Sequence, residues 1–396
     1  MPIRFSPLPA AGLTVAIALF TAASAFAQPN PPLGSSVFAF PGWYSEAASG
    51  VSAGRSLADR WLGSDPATNP AISSSRWGVE LTPVLLHSSR QDLRAANTDF
   101  DETSAFFDLS GLTLSGPLWK VGGQHLDLAL YAHRALARSE NNAFVTGRNL
   151  DPTALNSTIA SETAARENLA GAGLAFGPAS LRLGVAGEWV MRDDEYTLEV
   201  ESGDPSSGIR ITSFDGTSFA VRGGVKVASG TPGPGHWDAG ASVRYASALE
   251  VEGTEHVELI TGTGDTEVRA ERAAGYEYGG SVAWQGTEVL KLFAGAGGRG
   301  EREWEGFGVV EGSAFEWAVA LEYHDAADPW TARFGGGADR QSDAAEDRAT
   351  RLALGLGWTL GERQSLEFGV LRRVVHRGDA PNSFDDRVMV SIRVGY

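Results

Sequence analysis

The sequence predicts an all-β fold, a transmembrane antiparallel β-barrel of about 14 strands with an N-terminal hatch or plug segment. Three observations predict it. Apolar residues recur at every second position over most of the chain. Aromatic side chains (Trp189, Trp284, Trp330, Trp358, Tyr396) stand near the ends of those alternating runs, where interfacial girdles fall. The connections alternate between short turns and longer polar loops, as in bacterial barrels.

The N-terminus reads as an export signal. Arg4 supplies a positive n-region, Ala11 to Ala25 is a small-residue-rich apolar run, and Ala25-Phe26-Ala27 is a small-x-small cleavage site. The run is too short for a membrane span and lacks a stop-transfer flank. Residues 1–27 are therefore expected to be a cleaved signal peptide, with Gln28 opening the mature chain. No Cys follows the site, so a lipoprotein anchor is excluded.

Composition narrows the class. The chain has no cysteine, so no disulfide framework holds it together in an oxidising compartment. A net charge of −17 argues against nucleic acid as a partner. Mean hydropathy is −0.14, and beyond residue 27 no stretch is apolar enough for a helical span.

The period-two pattern is clearest at the C-terminus. Val388, Val390, Ile392, Val394 and Tyr396 share one face, while Arg387, Ser391 and Arg393 take the other. Leu352, Leu354, Leu356 and Trp358 likewise alternate with Arg351, Ala353, Gly355 and Gly357. A soluble sandwich also alternates. Here, however, the opposite face mixes charge with many Gly and Ala, as a lumen does. Strands are expected near 76–90, 104–116, 124–140, 166–177, 179–200, 208–228, 236–252, 266–285, 287–303, 307–324, 329–340, 347–360, 363–377 and 385–396. Short turns such as Gly177-Pro178, Gln285-Gly286 and Gly361-Glu362-Arg363 are expected on the periplasmic side. Longer acidic loops over 91–103, 141–165, 253–265, 341–346 and 378–384 would face outside.

Residues 28–75 do not alternate. They carry Phe38, Phe40 and Trp43, then Leu57, Trp61 and Leu62 at helical spacing with Gly63 as a C-cap, then a turn-rich run through Asn69, Pro70 and Ala71. Side chains this apolar need a surface to cover them. A barrel of this size lies between those filled by side chains and those that hold an open channel. The segment is thus expected to plug the lumen, with the barrel over 76–396; the alternative is a periplasmic amphipathic segment lying outside the pore.

The run Ser52-Ala53-Gly54-Arg55-Ser56-Leu57-Ala58-Asp59, then Asn69-Pro70-Ala71, then a first strand from Trp77, resembles the hatch of the FadL family. These are outer-membrane transporters of long-chain fatty acids and other hydrophobic molecules. The resemblance implies a fourteen-stranded barrel, a hatch carrying the Asn-Pro-Ala triplet, and uptake without TonB. Only Asn69, Pro70 and Ala71 carry over as hatch residues.

A search for chemistry returns little. The seven His are scattered, with neither HExxH nor Cys/His pairing, so no metal site is expected. No nucleophile elbow or P-loop is present, and neither catalytic residues nor cofactors are expected. Asp193-Asp194-Glu195, Glu301 to Glu305 and Asp385-Asp386 read as solvated clusters, with Ca²⁺ binding or bridging of lipopolysaccharide through divalent cations as the alternative. The inward rows hold Arg182, Glu188, Arg222, Glu316, Glu322, Arg333, Arg351 and Glu367, which can pair across strands or set ion selectivity. Val390, Ile392, Val394 and Tyr396 form the closing strand that the barrel-assembly machinery is expected to read.

Three function classes remain. The apolar plug favours an outer-membrane channel for hydrophobic small molecules, with membrane lipid, lipopolysaccharide and the assembly machinery as partners. The charged inner face favours a diffusion porin for polar solutes. An outer-membrane lipid enzyme or a structural or adhesive barrel is favoured by no motif.

Overall fold

A computed structural model describes residues 62, 66–72, 76–95, 98–101, 104–121, 123–146, 157–201, 208–230, 233–259, 262–306, 309–325, 327–342, 348–360, 364–377 and 380–395. Among the described residues the regular elements are all strands. They are β1 (Gly78–Ala95), β2 (Thr98–Asp101), β3 (Ser104–Val121), β4 (Gln124–Thr146), β5 (Ser157–Gly177), β6 (Leu181–Glu201) and β7 (Gly208–Ala228). There follow β8 (Trp237–Ala246), β9 (Leu249–Leu259), β10 (Gly262–Arg272), β11 (Gly275–Gln285), β12 (Leu290–Arg299) and β13 (Arg302–Glu305). The last are β14 (Val309–Glu311), β15 (Ser313–His324), β16 (Trp330–Ser342), β17 (Arg348–Thr359), β18 (Gln364–Arg377) and β19 (Ala380–Gly395).

The sheet closes on itself. Gly78 of β1 is opposite Ser115 of β3 on one side and Gly395 of β19 on the other, and every pairing between neighbours is antiparallel. Closure leaves no unpaired edge, which is the condition for strands to cross a bilayer. These nineteen segments make fourteen staves. β2 is a short arm folded back on the end of β1, and four staves are each split in two: β8/β9, β10/β11, β12/β13 and β14/β15.

Alternation follows the expected faces. On β6, Leu183, Val185 and Trp189 are exposed on the outside while Arg182, Ala186 and Glu188 are buried inside. On β17, Leu352, Leu354, Leu356 and Trp358 face out while Arg351 and Ala353 face in. Trp284 is opposite Trp237 and Trp330 is opposite Trp358, so the girdle on the short-turn side is built from cross-strand tryptophan pairs.

The long loops of the sequence reading are corrected. β1 and β2 occupy much of 91–103, β4 and β5 run to Thr146 and from Ser157, β9 and β10 fill most of 253–265, and β19 begins at Ala380. These stretches lost the apolar alternation because both faces are wet beyond the hydrocarbon. Their ladders continue regardless, since antiparallel pairing satisfies the backbone without an apolar face.

Three of the split staves share one device. Inward parity changes between Ala246 and Leu249, between Arg272 and Glu277, and between Arg299 and Arg302. Each break holds an odd register step, as a bulge does. Ser247 stitches one of them, its Oγ accepting from the Phe219 amide at 3.2 Å.

Candidate functional site

Residues 66–72 are buried within the barrel against the inward faces of β5 to β8. Asn69 is 0% exposed. Its Oδ1 accepts from the Ala71 amide at 3.0 Å, an Asx turn that fixes the triplet locally, and its Nδ2 donates to the Val225 carbonyl at 3.1 Å. Pro70 removes a donor that would otherwise need a partner here. The wall gives room for the triplet by glycine. A Cβ at Gly184 would overlap the Pro70 carbonyl, and one at Gly224 would overlap Asn69 Oδ1.

Wall side chains bind the flanking backbone. Arg182, 1% exposed, donates from Nε to the Ile72 carbonyl at 2.5 Å and from Nη2 to Asp127 at 2.6 Å. Arg222 Nη1 and Ser242 Oγ donate to the Thr68 carbonyl at 3.3 and 2.6 Å. Leu62 reaches the other wall, clustering with the inward-facing Ala283, Phe293, Ala318, Ala320, Ala353 and Leu371. The described part of the N-terminal segment therefore contacts two opposite arcs of the lumen.

The structure seats the Asn69-Pro70-Ala71 triplet on β5 to β8, several staves from β1, as an anchor. Phe38, Phe40, Trp43, Leu57 and Trp61 lie outside the described residues, as do residues 1–27 and Tyr396. Val390, Ile392 and Val394 sit on β19 between β18 and β1.

Above the anchor, inward charges join into a network along one arc of the wall. Glu188 Oε1 accepts from Tyr131 Oη at 3.1 Å and Arg222 Nε at 3.0 Å, while its Oε2 accepts from Arg244 Nε at 2.5 Å. Arg244 and Arg302 both donate to Glu277 Oε1, at 3.1 and 2.9 Å. On the other arc Arg351 pairs with Asp339 at 2.9 Å and Glu316 at 2.8 Å, and Arg333 pairs with Glu322 at 2.5 Å and Glu367 at 3.5 Å. The eight charges expected inside all take part in such pairs. A buried charge would be costly alone, and pairing is what makes this lining tolerable.

Further from the short turns the lining turns apolar in places. Leu169, Val190, Ala220 and Ala246 cluster there, and Phe214, Leu249, Val251 and Trp304 are also buried inward. Trp304 is flanked by the guanidinium groups of Arg192 and Arg272, 5.6 and 5.7 Å from its ring centre. Among the described residues no group of His, Asp and Glu is placed to hold a metal ion.

The fold is that of an outer-membrane-type β-barrel, and within that class of the FadL type. A Pseudomonas aeruginosa FadL homologue superposes with a TM-score of 0.60 at 14% identity, covering 87% of this chain and 97% of its own. The CymD monoaromatic hydrocarbon channel gives a TM-score of 0.53 at 10% identity over 89% of this chain and 97% of its own. The Pseudomonas putida toluene transporter TodX gives 0.53 at 11% identity over 87% and 98%. No protein-family profile and no curated protein sequence matches the chain.

Proposed function

We propose that this chain is an outer-membrane channel for uptake of hydrophobic small molecules such as long-chain fatty acids or hydrocarbons, gated by its N-terminal segment. The observation that carries the reading is the burial of Asn69, Pro70 and Ala71 inside a FadL-type barrel, hydrogen-bonded to a wall relieved by glycine to receive them. A tightly docked segment inside the lumen is what a gated channel needs and what an open diffusion pore does without. The apolar cluster around Leu169 and Val190 offers a hydrophobic ligand contact beyond the anchor. The inward charges favour a porin less than their number suggests, because Arg and Glu neutralise one another in pairs. Export by the signal peptide, insertion in the outer membrane and a transport rather than enzymatic role complete the reading.

The test is planar-bilayer conductance of the purified full chain alongside vesicle uptake of labelled fatty acid and toluene. Near-zero conductance with hydrophobic uptake supports the channel. A large conductance proportional to salt, without such uptake, would make it a porin.

A further inference from the structure

The outer wall carries a groove of about 610 Å³ between β11 and β17. Its floor is one cross-strand row, Val282–Ala294–Val319–Gly336–Leu352, each opposite the next on the neighbouring strand. Ala294 and Gly336 are the small members of that row. The row toward the short turns is Trp284–Leu292–Leu321–Phe334–Leu354, large at every position. The row on the other side is Gly280–Ala296–Trp317–Ala338–Thr350, from which Trp317 alone rises. Small residues beside one continuous ridge make the hollow, and every residue that lines it is apolar.

The groove is not a port. β11, β12, β15, β16 and β17 pair across it without a register break, and Leu62 packs on the inside of the same wall. Its position selects the occupant. Trp284 belongs to the girdle on the short-turn side, and Ala294 lies four residues beyond the start of β12 at Leu290. At ~3.3 Å per residue on a tilted strand, the groove starts in the half of the bilayer nearest the short turns at β11 and β12 and reaches about the midplane at β16 and β17, six residues from the Trp330–Trp358 pair. Hydrocarbon chains of that leaflet are what cover it.

We propose that this groove seats one acyl chain of a phospholipid from the short-turn leaflet at a fixed place on the barrel. The proposal rests on the outer-membrane reading and not on the transported solute. In a bilayer no hydrophobic force draws a chain to one apolar surface over another, so fit decides. A flat wall touches a chain along one side, whereas this hollow touches it on its floor and along the Trp284–Leu292–Leu321–Phe334 ridge, and dispersion contacts add up accordingly.

The test fills the hollow. A Cβ at Gly336 would meet the Leu352 side chain at an ordinary 3.4 Å, so Gly336→Leu should be accommodated while occupying the space. Wild type, the Ala294→Leu/Gly336→Leu double variant and an Ala172→Leu control on the exposed face of β5 would be refolded in phosphatidylethanolamine/phosphatidylglycerol vesicles. Each would be extracted in mild detergent and weighed by native mass spectrometry, with heat-modifiable mobility checking the fold. Wild type and control should retain one phospholipid, and the folded double variant should retain it at least tenfold less. Equal retention in the double variant, or none in wild type, overturns the site. A dimer in wild type that the double variant loses would also overturn it, assigning the face to a second copy. Hydrophobic uptake is read separately, so failure of the channel reading leaves this result interpretable.

Discussion

The side-chain amide of Asn69 lies over Gly224 of β7, with its Oδ1 in the space a Cβ there would take and its Nδ2 bonded to the next carbonyl, that of Val225. Gly184 of β6 stands in the same relation to Pro70. Glycine inside a strand is unfavourable by ~0.5–1 kcal/mol relative to alanine, so these positions sacrifice strand propensity for a close approach. Gly184→Ala and Gly224→Ala should therefore leave a folded, heat-modifiable barrel while forcing the triplet off the wall. Limited proteolysis of the N-terminal segment should quicken and single-channel conductance should rise. Unchanged proteolysis and conductance in both variants would mean that the wall does not anchor the segment.

The Arg182–Asp127 pair ties that anchor to β4 and β6. Arg182→Met leaves the Asp127 carboxylate buried without its cation, and breaking such a pair typically costs ~3–5 kcal/mol. Adding Asp127→Asn removes the uncompensated charge and should recover much of the loss. Urea unfolding of vesicle-refolded protein measures both. A double variant no better than the single one would show that the bonds to Ile72, Gly177 and Ala175 carry the stability instead.

Leu354 and Gly355 test the orientation of the wall. Leu354 is 59% exposed on the outer face, and Gly355 is buried on the inner one. Arginine at 354 should cost ~2–4 kcal/mol near the bilayer midplane, whereas arginine at 355 enters a lined, polar lumen. Refolding into lipid vesicles should rank the Leu354→Arg variant well below Gly355→Arg, and the reverse order would contradict the register of β17.

Much of this was legible in the chain, and the reasons for the remainder are specific. The alternation of Leu352, Leu354 and Leu356 with Arg351 and Ala353 fixes which side faces lipid, because a one-residue slip would put arginine outside. The inward charges followed from the same parity. Their partners Asp127, Glu277, Arg302 and Asp339 were harder to see. Arg302 belongs to a stave whose parity changes at Gly300-Glu301, and neither that break nor those at Ser247-Ala248 and Ala273-Ala274 carries a proline or a turn signature. The anchor was half legible. Asn69-Pro70-Ala71 stands out as a rigid triplet, but the glycines that receive it lie more than a hundred residues away and look like any others in a Gly-rich lumen.

The closing strand yields a test of assembly. β19 pairs with β18 and with β1, so it completes the ring, and Val390, Ile392 and Val394 form its alternating row. Deleting Tyr396, or replacing it with a charged residue, should lower the heat-modifiable band in outer-membrane fractions. Normal assembly would argue that the machinery reads some other feature.

The proposed gating turns on how the N-terminal segment is held. Leu62 sits on the alanine-rich arc of β11 to β18, and Asn69 with the flanking Thr68 and Ile72 carbonyls is bonded to β6, β7 and β8, so the described part of the segment touches two arcs of the lumen. The two contacts differ in kind. The Leu62 contact is apolar, and a hydrophobic ligand can compete for it. The triplet is held by hydrogen bonds that such a ligand cannot replace, and stranding a buried partner costs ~1–3 kcal/mol per group. Removing residues 32–66 should therefore keep the ring folded, raise conductance and abolish the preference for hydrophobic solutes. Changing Asn69 and Pro70 to Ala keeps the segment but releases its polar end, and should impair uptake with a smaller rise in conductance. Conductance of the truncated barrel equal to that of the full chain would place the barrier in the wall charges around Glu188 and Arg244, and the porin reading would then take precedence.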